Sequence, residues 1–415
     1  MPNYGQRFDT TEIDVSKHGN RAERKRRKRR KKRESRVPGW VYRIIVILIL
    51  CVVGMLFWLN RSNLTPANVV DWVQTQVVGM GIGDGFPVKI TGTVVSPGNF
   101  KSSNKELFMV GDTGLAVFNS SAKQTVSRQH SFSNPVMRVN GTRTLIYNLG
   151  GKGYQLESAG KTLVKTNGEQ NILAGALASN GSFALITEEK GYCGCLTAYD
   201  AGGQALYHYW FSDYYPTAVA LNHNGTKAAV TAISAKDGAL VSAVYLLDLG
   251  STKTVEPFAA YTENVMLDVS YSENGTVVAV GDRMTAVINA NARTKTNFDY
   301  QGFQLSAYDT DAGRTVLSLS PYKNSGNSRL VVLDKTGRAA VSVNAKENIK
   351  AVSLFGETAA ALQGSKVGFY SLTDASLQGS CDAGEDAKAI TLQDESSVYI
   401  LGISEVRYGK CGKSS

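Results

Sequence analysis

The 415-residue sequence holds few prolines, cysteines and histidines, 9, 5 and 4 respectively, and only 19% of its residues are charged. Five cysteines in a chain of this length exclude a disulfide-dense miniprotein, and 41 glycines against so few prolines exclude a collagen. A hydrophobic fraction of 43% excludes a disordered chain. Net charge is also missing from most of the sequence. Residues 1–43 carry 15 of the 45 Lys/Arg and 5 of the 35 Asp/Glu, which leaves 30 of each sign from Ile44 onward. The formal charge of +10 therefore belongs to a tail. A basic globular surface that tracks nucleic acid is excluded. No Gly-x-Ser-x-Gly, His-Glu-x-x-His or P-loop pattern occurs, and no Gly-x-Gly-x-x-Gly stands between a strand and a helix.

What is there begins with the tail. Arg21 to Arg36 reads RAERKRRKRRKKRESR, twelve cations with two anions, and is followed after Val37-Pro38-Gly39-Trp40 by VYRIIVILILCVVGMLFWL. These nineteen residues would make a helix of ~28 Å, close to the ~30 Å of a bilayer core. Arg43 can snorkel, and Trp40, Tyr42 and Trp58 fall where interfacial aromatics are expected. Phe57-Trp58-Leu59-Asn60-Arg61 offers no small-x-small cleavage site, so the reading is an uncleaved signal anchor. The cations lie on one flank only. That predicts a cytoplasmic tail over residues 1–40 resting on anionic lipid, a span over 41–59, and everything beyond Asn60 outside the plasma membrane. Thr65-Pro66 then reads as the start of a juxtamembrane helix, ended by the glycine cluster Gly79–Gly85 acting as a hinge, so that residues 60–85 form a connector.

From residue 86 short β-type runs alternate with turn signals. Tight turns recur at Asn104-Lys105, Asn140-Gly141, Asn180-Gly181, Asn224-Gly225, Asn274-Gly275, Ala312-Gly313, Gly356-Glu357 and Asp394-Glu395, at spacings of 36 to 50 residues. The Asn-Gly pairs suit the positive φ angles of a type I′ hairpin. A second hairpin follows in each unit, with its near-turn residue at Asn119, Glu157, Asp200, Asp248, Asn289, Asp334 and Ser371. Four strands per repeat is the signature of propeller blades. The last unit, AITLQDESSVYILGISEVRYGK, supplies only three strands. The fourth is assigned to Phe86–Gly92, which has nowhere else to pair and removes two exposed sheet edges by closing the ring. The expected fold is thus an all-β, eight-bladed propeller over residues 86–415, closed by an N-terminal strand and preceded by one transmembrane helix. Seven blades is the alternative.

The segment from Leu196 through Asp200-Ala201-Gly202-Gly203 to Trp210 resembles the repeat of quinoprotein-like propellers, and Leu333-Asp334-Lys335-Thr336-Gly337 is a shorter match. Repeat length is similar to that of WD40-type blades, without their Gly-His or Trp-Asp signatures. The layout as a whole resembles single-pass, membrane-anchored propeller proteins of Gram-positive bacteria. That resemblance implies a fold and a location, not a chemistry.

Four histidines, His18, His130, His208 and His223, are scattered, and no catalytic residue, metal-ligand set or cofactor is indicated. Cys193 and Cys195 lie two apart, too close for an ordinary zinc pair. Cys381 and Cys411 fall in the final third, where a disulfide between them would staple the closure. Five sequons, at Asn119, Asn140, Asn180, Asn224 and Asn274, coincide with turns and are read as turn residues. In a propeller the turns from first to second and third to fourth strand share one face. The second-to-third loops and the blade connections share the other, and here they are the longer ones: Glu189–Gly194, Ser234–Leu240, Pro321–Asn327 and Tyr207–Tyr215. Tyr192, Tyr209, Trp210, Tyr214, Tyr215 and Lys236 would gather there as a binding rim. The closing strand would enter from the tight-turn side. The function expected is a non-enzymatic scaffold that binds a protein or glycan of the cell envelope. A propeller enzyme, a lyase or glycoside hydrolase, is the alternative.

Overall fold

The computed structural model describes residues 39–59, 81–90, 92–322 and 326–412. The basic tail and the helix expected from Thr65 lie outside them. The chain divides into two units, Met1–Arg61 and Ser62–Ser415. In the first, Gly39–Leu59 is a 21-residue α-helix, ~32 Å long at 1.5 Å per residue. Its apolar side chains from Ile44 to Leu50 stand exposed. Among the described residues no helix is long and apolar enough to cross a membrane.

The second unit is an eight-bladed β-propeller of eight four-stranded antiparallel sheets. Blades 1 to 7 run in chain order as Val95–Gln129, Pro135–Asn167, Ile172–Phe211, Tyr215–Thr262, Met266–Asp299, Gln304–Asn344 and Ile349–Asp382. Blade 8 takes three strands from Ala389–Lys410, and Val88–Lys89 completes it by pairing Val88 with Val406 and Lys89 with Glu405. Ile90 N–H donates to the Ser404 carbonyl (2.7 Å), and Phe86 stacks on Tyr408 at 5.7 Å, which seats the closing strand.

Strand composition follows radius. Second and third strands are covered on both faces and read as continuous apolar runs: every residue of Thr276–Gly281 and Ser397–Leu401 is buried. Outer strands such as Thr294–Asp299 meet water and are polar. The core consists of eight apolar clusters, each drawn from two adjacent blades, from the cluster of blades 1 and 2 around Ile146 to that of blades 8 and 1 around Tyr399. Each fully buried Leu or Ile in them is worth about 1.5–3 kcal/mol.

Both central residues have positive φ at Asn104-Lys105 and Ala312-Gly313, as a type I′ turn requires. The Asn-Gly turns differ from the expectation. At Asn180-Gly181 and Asn274-Gly275 only the glycine has positive φ, and a turn bond runs from Gly181 N–H to the Ala178 carbonyl and from Gly275 N–H to Ser272. These are longer, glycine-bulged hairpins. The asparagine prefers them because its Oδ1 then accepts from Ser182 N–H (2.9 Å) and Thr276 N–H (3.1 Å). Ser234–Leu240, read as a loop, is instead regular hairpin: Lys227–Lys236 and Ala239–Asp248 stay paired to a turn at Asp237-Gly238, two rungs beyond the reach of both neighbouring strands. Nor are Gly81–Gly85 a free hinge. Asn119 Nδ2 donates to the Gly81 carbonyl (3.0 Å) and Gly85 N–H to the Ser121 carbonyl (3.2 Å); a Cβ on Gly83 would lie 2.4 Å from Lys123 N. The chain thus enters the ring on the tight-turn face.

Cys381 and Cys411 are free thiols. Ser380 and Gly412 exchange both backbone hydrogen bonds across blades 7 and 8 (3.1 and 3.2 Å). The next residues along the ladder, Cys381 and Cys411, are therefore opposite each other as a non-hydrogen-bonded pair, where side chains come closest. Burial, then the neighbouring Cys411, pushes the Cys381 thiol up to about 11. Oxidised glutathione is expected to couple them faster as pH rises toward that value. Closing the loop of about 30 residues between them should add about 3–4 kcal/mol of stability. A thermal melt with and without oxidant reads this, and an equal gain in a Cys411→Ser variant would rule the pairing out.

Candidate functional site

The two faces of the ring differ in how much of their polar chemistry is already used. On the tight-turn face, neighbouring turns bond to each other. Ser103 Oγ donates to the Gly141 carbonyl (2.8 Å) between blades 1 and 2, Asn140 Nδ2 to Leu177 (3.2 Å) between 2 and 3, and Asn180 Nδ2 to Asn224 (2.8 Å) between 3 and 4. His223 faces Glu273 at 3.7 Å between 4 and 5, Arg314 pairs with Glu357 at 2.8 Å between 6 and 7, and Glu357 N–H donates to Glu395 (2.9 Å) between 7 and 8. Gln393 and Tyr399 both donate to the Lys105 carbonyl, joining blade 8 to blade 1. The glycosylation-type asparagines of this belt are turn residues, and the side chains of Asn119, Asn140, Asn180 and Asn274 are engaged in hydrogen bonds.

The opposite face, carrying the longer loops, is where the expected rim lies, and it divides in two. Tyr192, Trp210 and Tyr215 are 51%, 48% and 61% exposed, and Lys236 stands on the projecting hairpin of blade 4. Tyr192 and Trp210 meet at 6.3 Å, with His208 stacked on Trp210 at 5.7 Å. Tyr209 and Tyr214 turn inward instead. Tyr209 donates to the Val255 carbonyl (2.9 Å) and packs edge-on to Phe211, while Tyr214 packs on Tyr245. Alternation along Ala205–Phe211 explains the split: Tyr207, Tyr209 and Phe211 face blade 4, whereas His208 and Trp210 face out.

Sequence reading assigned no residue to the central channel, about 760 Å³, which the inner strands of all eight blades line. In blades 3 to 7 the inner strand shifts register by one residue at the same level, and the extra residues Leu173, Thr217, Leu267, Ser306 and Lys350 all line the channel. Below this ring sit charges. Lys101 of blade 1 reaches Asp309 of blade 6 at 2.7 Å, a bond between blades that are not neighbours. Asp309 Oδ2 also accepts from Leu354 N–H (3.0 Å) and Ser353 Oγ (3.3 Å) of blade 7. Tyr308 O–H donates to Asp268 (3.1 Å), and Arg138 donates to the Gly175 carbonyl (3.2 Å). Enclosure opposes the charge on Lys101, but the carboxylates of Asp309, Asp311 and Asp268 outweigh it and hold its pKa above 10.5. Lys101 is ringed by protein and yet 45% exposed, because what it faces is the solvent of the channel. Burial, then Asp309, pushes Asp311 up. The signal that marked this site was a charge interrupting apolar inner strands, as in VMRVN and LDVSY. His130, His208 and His223 lie outside the channel, and the described residues contain no group of three His, Cys, Asp or Glu able to hold a metal. A second hollow of about 690 Å³, lined by Asp282, Arg283, Asp299 and Phe303, shares Leu267 and Leu305 with the channel.

A model for a family described as "Family of unknown function (DUF5711)" matches residues 88–405, from the closing strand to the last strand of blade 8. The chain belongs to DUF5711. Among curated proteins none matches. The DUF5711 propeller is similar in fold to Sqt1 of Saccharomyces cerevisiae (10% identity, TM-score 0.53, 80% of this chain and 100% of that one). It is also similar to the C-terminal WD40 domain of Sif2 (10% identity, TM-score 0.54, 80% and 99%). BamB of Moraxella catarrhalis matches at 10% identity and TM-score 0.48 over 78% and 99%.

Asp309→Ala removes the acceptor for Leu354 N–H and the partner of Lys101, and is expected to lower stability by about 1–3 kcal/mol, with Asp309→Asn costing less because it keeps an acceptor. The raised pKa of Lys101 gives a contribution present below its unfolded value and lost as pH rises through its folded one. Resistance of the wild type to chemical denaturation should therefore fall above pH 10.5, and a Lys101→Met variant should show a smaller alkaline loss.

Proposed function

We propose that this chain is anchored in the plasma membrane by Gly39–Leu59 and that its propeller is a non-enzymatic module outside the membrane, binding a protein or glycan of the envelope through its long-loop face. The observation that carries the binding reading is the exposed pair Tyr192 and Trp210, with Tyr215 on the next blade. Aromatic side chains left in water supply large contact area at small entropic loss and are the usual anchors of interfaces. The stitched face opposite has its polar groups engaged and receives the incoming chain, so the rim face is the free one. Support for the anchor is the apolar helix with twelve cations on its N-terminal flank. The channel carboxylates Asp309 and Asp268 are held by Lys101 and Tyr308, an arrangement that favours binding over lyase or hydrolase chemistry.

The test is capture from solubilised membranes with the intact chain and a Tyr192→Ala, Trp210→Ala, Tyr215→Ala variant. Exposed substitutions of this kind shift stability by about 0.5 kcal/mol or less each, so the variant should melt near wild type. A partner or wall polymer held by wild type and released by the variant is the expected outcome, while Tyr209→Ala should unsettle folding instead. Equal retention by the triple variant would remove the rim from the reading.

A further inference from the structure

We infer that the long-loop mouth of the central channel binds an organic anion with an apolar body, headed by a carboxylate or phosphate. This deepens the binding-module reading and rests on it. The channel lining holds four cations, Lys101, Arg138, Lys350 and Lys388, against two carboxylates, Asp268 and Asp309. The deeper charges are engaged: Lys101 with Asp309, and Arg138 with the Gly175 and Met137 carbonyls. Lys350 and Lys388 are not. No ion pair among the described residues involves either, and both are exposed to the channel.

Their placement is built into the backbone. Lys350 is the extra residue of the bulge between Ile349 and Ala351, which turns it to the lumen. Lys388 directly precedes the inner strand of the adjacent blade and is held there by its N–H bond to the Leu401 carbonyl (2.8 Å). Two uncompensated ammonium groups on neighbouring blades create a positive field at one side of the mouth. Apart from Lys350, Thr217 and Ser306, the bulge residues of the mouth are apolar. Leu149, Leu173, Leu267 and Leu305 come from blades 2, 3, 5 and 6, and Leu149 and Leu267 remain 38% and 48% exposed. A ligand that only carried charge would leave these leucines in water. One that was only apolar would leave the lysines unanswered. The Lys101 to Asp309 bond crosses the lumen below and limits the depth, and the volume of about 760 Å³ lies in the small-molecule range.

The experiment uses the full chain in a non-ionic detergent, with octanoate, octyl phosphate and octyltrimethylammonium, a cation with no N–H to be acylated, as probes. Acetic anhydride labels lysines, and peptide mass spectrometry reads the rate at each. Octanoate or octyl phosphate should slow labelling of Lys350 and Lys388 several-fold and raise the melting temperature, and whichever acts at lower concentration identifies the headgroup. Octyltrimethylammonium should do neither. A Lys350→Gln, Lys388→Gln variant should lose the octanoate-induced rise. Equal protection by octyltrimethylammonium, unchanged labelling with both anions, or an undiminished rise in the double variant would overturn the inference. Because the labelling is read on wild type, it stands even if that variant folds poorly. A chain that binds octanoate but captures no partner through its aromatic rim fails the binding-module reading alone. One that captures a partner yet leaves both lysines open to the reagent with either anion fails only this inference.

Discussion

Eight wedge-shaped apolar seams, each shared by two neighbouring blades, hold the ring, and everything else about the molecule is arranged around keeping them dry. Among the described residues no blade has a core of its own. Phe183 and Leu185 of blade 3 pack with Tyr147 and Leu156 of blade 2, while Ala184 and Ile186 of the same strand pack with Val230 and Tyr245 of blade 4. Strand alternation thus sends successive side chains to different seams. A sheet sharing both faces needs unbroken apolar second and third strands, which is what Thr276–Gly281 and Thr358–Leu362 are. It also needs a neighbour on each side, so a seam left open at the chain ends would expose two faces at once. The two-residue strand Val88–Lys89 matters for that reason more than for its own two rungs.

Seams fix the distance between blades but not their slip along the axis. The turn-to-turn hydrogen bonds of one face oppose that slip. Each is worth only about 0.5–1.5 kcal/mol net, but they recur around the ring. Between blades 5 and 6 the described residues show no such turn bond, and there Tyr308 donates to Asp268 nearer the axis. One face is in this way committed to structure. The other is free to carry bulges, a hairpin extended by two rungs and exposed aromatics, because the ring does not depend on it.

The periodic part of this architecture was legible in the sequence, since turn residues and apolar runs repeat with the blades, and the count of three strands in the last unit pointed directly to the closing strand. Local features decided by a competing bond were less legible. Asn180-Gly181 suits a type I′ turn by pairwise preference, yet the asparagine oxygen finds Ser182 N–H only in the longer turn. Ser234–Leu240 contains Lys, Asp and Gly and so reads as loop, although its residues pair as regular strand around a two-residue turn. Tyr209 and Trp210 are adjacent and chemically alike. Which faces out depends on the strand's phase against its neighbour, and that phase is set by Cys195 pairing with Trp210 across the hairpin.

The channel was hidden for a different reason. In a short strand, a lone Lys, Arg or Asp among apolar residues looks like the solvent side of an ordinary alternation, and locally that is correct: Lys101, Arg138 and Asp268 do face away from the seams. What the strand cannot state is that eight such sides converge on one lumen. There charges from distant blades come within reach of each other, as Lys101 and Asp309 do across 208 residues of sequence. Convergence changes their energetics. A cation that would be indifferent on an open surface must, in a narrow lumen, either find a carboxylate or leave a field that something else answers. Lys101 takes the first course and Lys350 and Lys388 the second, so the axis of the ring is the place where a fold that is otherwise spent on its own closure keeps an unsatisfied demand.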